Sequence, residues 1–380
     1  MTETVITNAR IVLADRQFLG TLCIRNGHIS DVSESRSTLS AAHDYQGDYL
    51  LPGCVELHTD NLEKHISPRS NAAWPPKAAM FSHAAQMAQA GITTVFNALS
   101  LGDIALNSAR KRSLPMMLEA LSETVASGRL KADHYLHLRC EVCFPQMLEG
   151  LERHGAHPLL RILSLMNHTP GERQFASLAA CWEYYKGKYG FDDTEMQDFV
   201  DRSRVNDALY SQDNRNKAIH LAQERQCILA SHDDENSDHV AEAKQDGIVI
   251  SEFPTTQVAA QAARTQGIRT LLGGPNIVLG GSHSGNVSAT ALAQAGLVDI
   301  ISSDYVPQSL IMSAFYLSHQ IAHLDLCDTV RMISKTPAET VGLFDRGEIT
   351  PGRRADVIRV HMIDHQPIVV STNVLGERVC

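Results

Sequence analysis

The chain has 380 residues, of which 43% are hydrophobic and 20% charged, and a formal net charge of −10. That length exceeds what one core usually supports, so a large domain with a smaller companion is expected. The acidic balance excludes the basic stripe of a nucleic-acid surface, and no apolar run approaches the roughly 20 residues of a membrane span. Met1-Thr2-Glu3-Thr4 lacks the basic-then-apolar order of a signal peptide, which points to a soluble, cytoplasmic protein. The eight cysteines are scattered and expected to be reduced. Cys140 and Cys143 form one C-x-x-C with no second pair, too few ligands for structural zinc.

Residues 4–13 and 20–32 read as short strands, with Asn26-Gly27 as a hairpin signal. A third short run, 44–51, leads into LPGCVELHTDN at 51–61. Far downstream, 347–360 and 366–379 again read as strands. Neither end has enough strands to be stable alone, so the two are expected to pair. The predicted division is a composite β-domain of residues 1–50 and 345–380 around a domain of residues 51–344.

Between the ends, helical and apolar runs alternate. A helix around 78–90 precedes a strand at 91–99, and one around 115–127 precedes a strand at 134–142. Residues 146–154 read as helix and 159–167 as strand; the polar, aromatic stretch 169–226 reads as helices. Strands follow at 227–233, 247–253, 267–275 and 297–305. With 49–58 as the first, these make eight buried strands joined by helices. That pattern predicts an α/β fold, a (β/α)8 TIM-like barrel carrying a small β-sandwich domain from both chain ends.

Most of these strands end in a group that can bind a metal or move a proton. The first gives His58 and Asp60, two residues apart and so on one side of a strand. The third gives Glu141, the fourth His168, the fifth His232 and the eighth Asp304. Catalytic residues of such barrels sit at the carboxyl ends of the strands. Taken together, the six groups predict a divalent-metal site.

With its strand-one metal pair, the histidine on strand five and the aspartate on strand eight, the sequence resembles the amidohydrolase superfamily. The segment Pro351 to Val357 resembles that superfamily's return into its β-domain. A closer likeness is carried by ELHTDNLEKH (56–65), HLRCE (137–141), SLMNHTPGERQF (164–175), ASHDD (230–234), EFPTT (252–256), GGPNIVLGGSHSGN (273–286) and SSDY (302–305). These resemble the phosphonate-metabolism hydrolases of the carbon–phosphorus lyase pathway. Two departures from other amidohydrolases stand out. Asp60 replaces a histidine, and no lysine lies between Lys131 and Lys186 to carry a bridging carbamate. Glu141 is the best remaining bridging carboxylate. The resemblance implies one or two divalent ions, Zn²⁺, Mn²⁺ or Fe²⁺, with Mg²⁺ able to accompany the substrate; carboxylate in place of imidazole hardens the site.

The resemblance further implies attack of water on the α-phosphorus of a sugar 5-triphosphate, with pyrophosphate leaving and Asp304 as the proton acceptor. The glycine-rich loops GGPN (273–276) and GGSHSGN (280–286) follow strand seven, a barrel position often used for phosphate. Ser282, His283, Ser284 and Asn286 would add donors there, and Lys64, Arg69 and Arg173 are the nearby candidate cations. The expected partner is a small phosphorylated substrate, with no nucleic acid and no membrane, in a homo-oligomer such as a dimer. The alternative is hydrolysis of a C–N bond in a cyclic amide or N-acetyl sugar, for which the metal residues would be nearly the same.

Overall fold

The computed structural model describes residues 3–69, 73–102, 109–171, 173, 182–183, 185–187, 190–282 and 285–380, the side chains of 109–112 excepted. The strands are β1 Glu3–Val12, β2 Gln17–Arg25, β3 His28–Ser33, β4 His43–Asp44, β5 Tyr49–Pro52, β6 Cys54–Thr59, β7 Ile92–Leu101 and β8 Asp133–Glu141. They continue as β9 Leu160–Met166, β10 Ile228–His232, β11 Ile250–Glu252, β12 Arg269–Gly273, β13 Ile300–Ser302, β14 Val357–Ile363, β15 Gln366–Val374 and β16 Glu377–Arg378. One sheet has the order β16-β15-β14-β5-β1-β2-β3, with β4 on β1; the other runs β13 to β6 in unbroken sequence order. This is the (β/α)8 barrel with a β-domain from both termini. The chain forms two compact units, Met1–Asn97 with Glu119–His134 and Ile300–Cys380, and Ala98–Leu118 with Tyr135–Asp299.

In the first unit, the two chain ends meet through β5. It pairs parallel with β1, as at Ile11 to Leu50, and antiparallel with β14, as at Leu51 to Ile358. Ile6, Ile11, Leu22, Ile24, Leu50 and Val357 close a core beneath this sheet. At the β2–β3 hairpin both turn residues are left-handed, Asn26 at φ 49 and Gly27 at φ 81, as a two-residue type I′ turn requires. The run predicted as one strand over 49–58 is two. The chain changes partners at Gly53, whose N donates to Asp356 O (2.8 Å) while Cys54 N donates to Gly91 O (3.0 Å), and a Cβ at this crossing would meet Thr93 Oγ1 at 2.4 Å. Residues 49–52 therefore join the terminal sheet, and the first barrel strand begins at Cys54.

The helices α1, Asn61–Ile66, and α2, Pro76–Gln89, follow β6. Between them and the strands runs a buried hydrogen-bonded chain. Asn61 Nδ2 donates to Gln86 Oε1 (2.7 Å) and approaches His83 Nδ1 (3.3 Å). His83 Nε2 donates to Asn97 Oδ1 (2.9 Å), and Asn97 Nδ2 lies 3.3 Å from His134 Nδ1. As assigned, every donor points the same way, which requires both imidazoles to be neutral.

In the second unit, β8 to β12 pair in parallel, with Arg139 opposite Ser164 and His232 opposite Glu252. Within the long polar stretch, Asp193–Arg225 form a 33-residue helix, opened by a capping box between Asp192 and Glu195. Its face packs Met196, Phe199 and Val200 on Cys143 and Tyr185. The helix predicted from Pro115 begins earlier, at Ala109, and carries the proline inside it. Among the described residues, no helix is long and apolar enough to cross a membrane.

Burial pushes His134 down to about 3, and burial with the neighbouring His134 ring also holds His83 well below its usual value. The unfolded chain takes up a proton near pH 6.5 that folded His134 refuses. Stability from this group is therefore complete above pH 6.5 and falls by about 1.4 kcal/mol per pH unit as pH drops toward 3. Replacing His134 with Gln, which keeps an acceptor for Asn97 and cannot titrate, should reduce the loss of unfolding free energy between pH 7 and pH 5 by about 2 kcal/mol. Urea unfolding at the two pH values measures it; an unchanged loss would mean that His134 protonates in the folded state.

Candidate metal centre

Within the first unit, β6 and β13 lie side by side, with Thr59 bridged in parallel to Asp304. The buried Glu56 carboxylate holds this seam. It accepts from His58 N (2.7 Å), Ser302 Oγ (2.7 Å) and Ser303 N (2.5 Å). Burial pushes Glu56 up to about 7, against the pull of these donors. Asp304 O accepts from Asp60 N (3.2 Å) and Thr59 Oγ1 (3.0 Å), and Asp304 N donates to Ser302 Oγ (3.2 Å). His58, Asp60 and Asp304 thus lie along one seam of backbone contacts. His58 is buried in β6, and Asp60 lies just past it at the start of α1 without a side-chain capping bond.

Within the second unit, Glu141 ends β8, His232 ends β10 and His168 lies two residues past β9. His168 Nδ1 is 2.6 Å from Glu141 Oε2, and His168 N donates to Glu141 Oε1 at 3.0 Å. The other face of the imidazole, Nε2, is 3.6 Å from Asp233 Oδ2. The same carboxylate oxygen is 2.9 Å from His232 Nδ1, while Arg139 Nη2 donates to His232 Nε2 at 3.3 Å. Burial alone would lower the His168 pKa, but Glu141 and Asp233 outweigh it and raise the group to about 9. Asp233 is held well below the carboxylate range despite burial, by His232 and His168. Glu141 is likewise lowered by His168 against burial.

His168, His232 and Asp233 each offer a ligand atom, and the three atoms lie within 4.8 Å of one another. Two imidazoles and a carboxylate are a common three-ligand set for a catalytic divalent ion. The donor set fits a metal, and the net negative charge of the Glu141–His168–Asp233 chain favours one.

The other predicted residues fall as follows. Lys64, on α1, donates to Tyr305 O at 2.9 Å and lies 4.7 Å over the Tyr305 ring. Arg69 is exposed. Arg173 is buried, and its guanidinium is engaged by Asp234 (2.8 Å) and Glu242 (3.0 Å) rather than turned outward. Ser282 and Asn286 are half-buried in the loop after β12. That loop is tied down by Val287 N on Thr255 O (3.0 Å) and Ala289 N on Asn276 Oδ1 (3.0 Å). His283 and Ser284 lie outside the described residues. Sequence reasoning missed Glu56, Arg139 and Asp233. The signals were present: a carboxylate inside the buried run CVELHT, and a second acid directly after His232.

No family model matches the chain. The α-D-ribose 1-methylphosphonate 5-triphosphate diphosphatase of Escherichia coli K12 is 44% identical over 362 residues, covering 95% of this chain and 96% of that protein. Among solved structures, the 5-methylcytosine deaminase of Klebsiella pneumoniae bound to 5-fluorocytosine superposes with a TM-score of 0.67 at 15% identity, over 99% of this chain and 97% of that one. The N-acetylglucosamine-6-phosphate deacetylase of Thermotoga maritima gives 0.61 at 13%, over 99% of both chains. At such identities these two share the fold alone.

Asp233→Ala should lower divalent-metal content, because a ligand or the carboxylate orienting one is typically worth about 10–100-fold in affinity. Metal analysis of the dialysed variant reads this out. Wild-type occupancy would remove Asp233 from the site.

Proposed function

The chain belongs to the α-D-ribose 1-methylphosphonate 5-triphosphate diphosphatase family, and from that premise we propose that it hydrolyses this substrate to the 5-phosphate and pyrophosphate. The identity of 44% across 95% of the chain carries the reading. Water adds to the α-phosphorus, the bond to the bridging oxygen of the β-phosphate breaks, and pyrophosphate leaves. We assign His58, Asp60, Glu141, His168, His232 and Asp304 as the metal ligands, with Asp233 added from its place between the two imidazoles. The metal is Zn²⁺, Mn²⁺ or Fe²⁺ in this proposal; when bound, it lowers the pKa of water and offsets charge on the phosphoryl oxygens.

The protein's own groups do the rest. Asp304, held on the β6–β13 seam, takes the proton of the attacking water. Ser282, His283, Ser284 and Asn286, with the backbone N–H groups of their glycine-rich loop, hold the leaving phosphates. Lys64 adds a cation beside Tyr305. Arg173 has a positioning role, since it is ion-paired with Asp234, which in turn accepts from Ser231 Oγ (2.5 Å) and Ser251 Oγ (2.7 Å). The described cysteines are free thiols, which suits a cytoplasmic enzyme. Sedimentation of the purified protein tests the homodimer expected for it.

The deciding experiment measures pyrophosphate released from the ribosyl triphosphate against amine or carboxylate released from cyclic amides and N-acetyl sugars. Release from the latter alone would replace this reading with C–N hydrolysis. Asp304→Asn should keep the fold and much of the metal but lose about 10²–10⁴-fold in turnover; His58→Ala should lose metal instead. Wild-type turnover of fully loaded Asp304→Asn would overturn the assigned proton acceptor. His283→Ala should cost about 10- to 150-fold in kcat/KM on the triphosphate with metal content unchanged, as expected for one charge-assisted hydrogen bond. Lost metal in that variant would make His283 a ligand.

A further inference from the structure

The first unit contains a cavity of about 540 Å³ lined by Asn61, Lys64, His65, Trp74, Ser82 and Gln86, with Pro68 and Ala79. That volume suits a small organic ligand. Asn61 directly follows Asp60, and Lys64 reaches the carbonyl of the residue after Asp304. The cavity is therefore built on the same seam that presents the two acids, yet none of its walls has a role in the chemistry above except Lys64.

Its polar character is fixed by the buried chain behind it. Gln86 Oε1 takes Asn61 Nδ2 at 2.7 Å and His65 Nε2 at 2.8 Å. A carbonyl oxygen only accepts, so His65 Nε2 carries its proton, and what Gln86 has left to present is its NH₂ end. Asn61 gives its amide hydrogens to Gln86 and His83, which leaves Oδ1 as the group it can present. Among the described residues the walls then hold one ammonium, an imidazole, an amide NH₂, a serine hydroxyl and one amide acceptor, and no carboxylate. Trp74 is 55% exposed, an unusual position for so large an apolar ring, and its backbone N is tied to Ile66 O at 2.8 Å.

We propose that this cavity receives the non-reacting end of the substrate: a pentose carrying a tetrahedral phosphorus oxyanion, with the sugar against Trp74, its hydroxyl on Asn61 Oδ1 and the anion on Lys64, Gln86 and Ser82. A cation with neutral donors and no opposing acid selects an anion. A flat indole beside an acceptor suits a sugar, which has an apolar face and hydroxyl edges. This rests on the ribosyl triphosphate reading and extends it from the bond cleaved to the end of the molecule that is recognised.

The test uses the two tryptophans of the chain, Trp74 and Trp182. In the metal-loaded Trp182→Phe protein, Trp74 is the only indole. Its fluorescence should change saturably with α-D-ribose 1-methylphosphonate and with α-D-ribose 1-phosphate, the tighter of the two identifying the natural anion. Plain ribose should bind at least about tenfold more weakly, since a charge-assisted contact is lost. In the kinetic arm, Ser82→Ala should raise KM about tenfold for the 1-phosphonylated 5-triphosphate and leave KM for ribose 5-triphosphate, which lacks the 1-substituent, unchanged. Trp74→Ala, which removes the wall for the sugar that both substrates carry, should raise KM about tenfold for both. Equal losses on both triphosphates with Ser82→Ala, no loss with either variant, or ribose binding as tightly as its 1-phosphate would overturn the assignment. Should wild-type enzyme release no pyrophosphate from any triphosphate, the proposed function fails, and the fluorescence titration still decides the cavity by itself.

Discussion

One buried carboxylate organises the candidate residues of the first unit. Glu56 lies in a strand whose every residue is buried, where an uncompensated charge would be expelled. It persists because three donors converge on it from both strands of the seam, the amides of His58 and Ser303 and the Ser302 hydroxyl. Neither strand could supply that set alone. The carboxylate therefore fixes the register between β6 and β13, and the register fixes where His58, Asp60 and Asp304 stand. Its raised pKa, near 7, expresses the same balance, with burial slightly ahead of the donors. A leucine would pack as well and leave the seam free to slip by one residue, which would turn every side chain to the other face.

The cluster of the second unit is organised by the opposite imbalance. Glu141, Asp233 and His168 form a short buried chain in which two acids flank one imidazole. Holding the imidazole protonated compensates one of the two charges, which is why His168 rises to about 9. The remaining acid faces His232, whose far nitrogen meets Arg139. Two carboxylates matched only by one proton and one guanidinium suit a divalent cation, which would do the work of the proton more completely.

Much of the fold could be read from the chain because it depends on runs of residues. Eight buried apolar stretches with helical spacers lead to a barrel, and β-rich ends too short to stand alone lead to one composite sheet. The boundary at Gly53 was hidden because it lies in a change of hydrogen-bond partner, from Asp356 to Gly91, both distant in sequence. Arg173 shows the same limit within the site. By its charge it reads as a phosphate clamp, but Asp234, sixty-one positions away, and Glu242 together engage its two terminal nitrogens. The cavity at Trp74 left no sequence signature at all, since its walls are ordinary residues of two helices with Pro68 and Trp74 beside them.

Asp233 escaped notice for a more instructive reason. On a strand, neighbours point to opposite faces, so pairs two apart were the ones sought, as with His58 and Asp60. His232 and Asp233 are adjacent, yet their side chains meet at 2.9 Å. The backbone makes that possible: Asp233 is left-handed at φ 57, breaking the alternation while its N–H still donates to Glu252 O (2.9 Å) and extends the ladder. Phe253 does the same one strand on, at φ 52 with its N–H on Leu271 O, and Asp304 turns at φ 53 after β13. Aspartate tolerates this conformation better than most residues, whereas a phenylalanine there is strained by about 1–3 kcal/mol. Left-handed backbone just past the ends of three strands, with an acid in that position at two of them, lets a side chain leave the plane of the sheet without unpairing it.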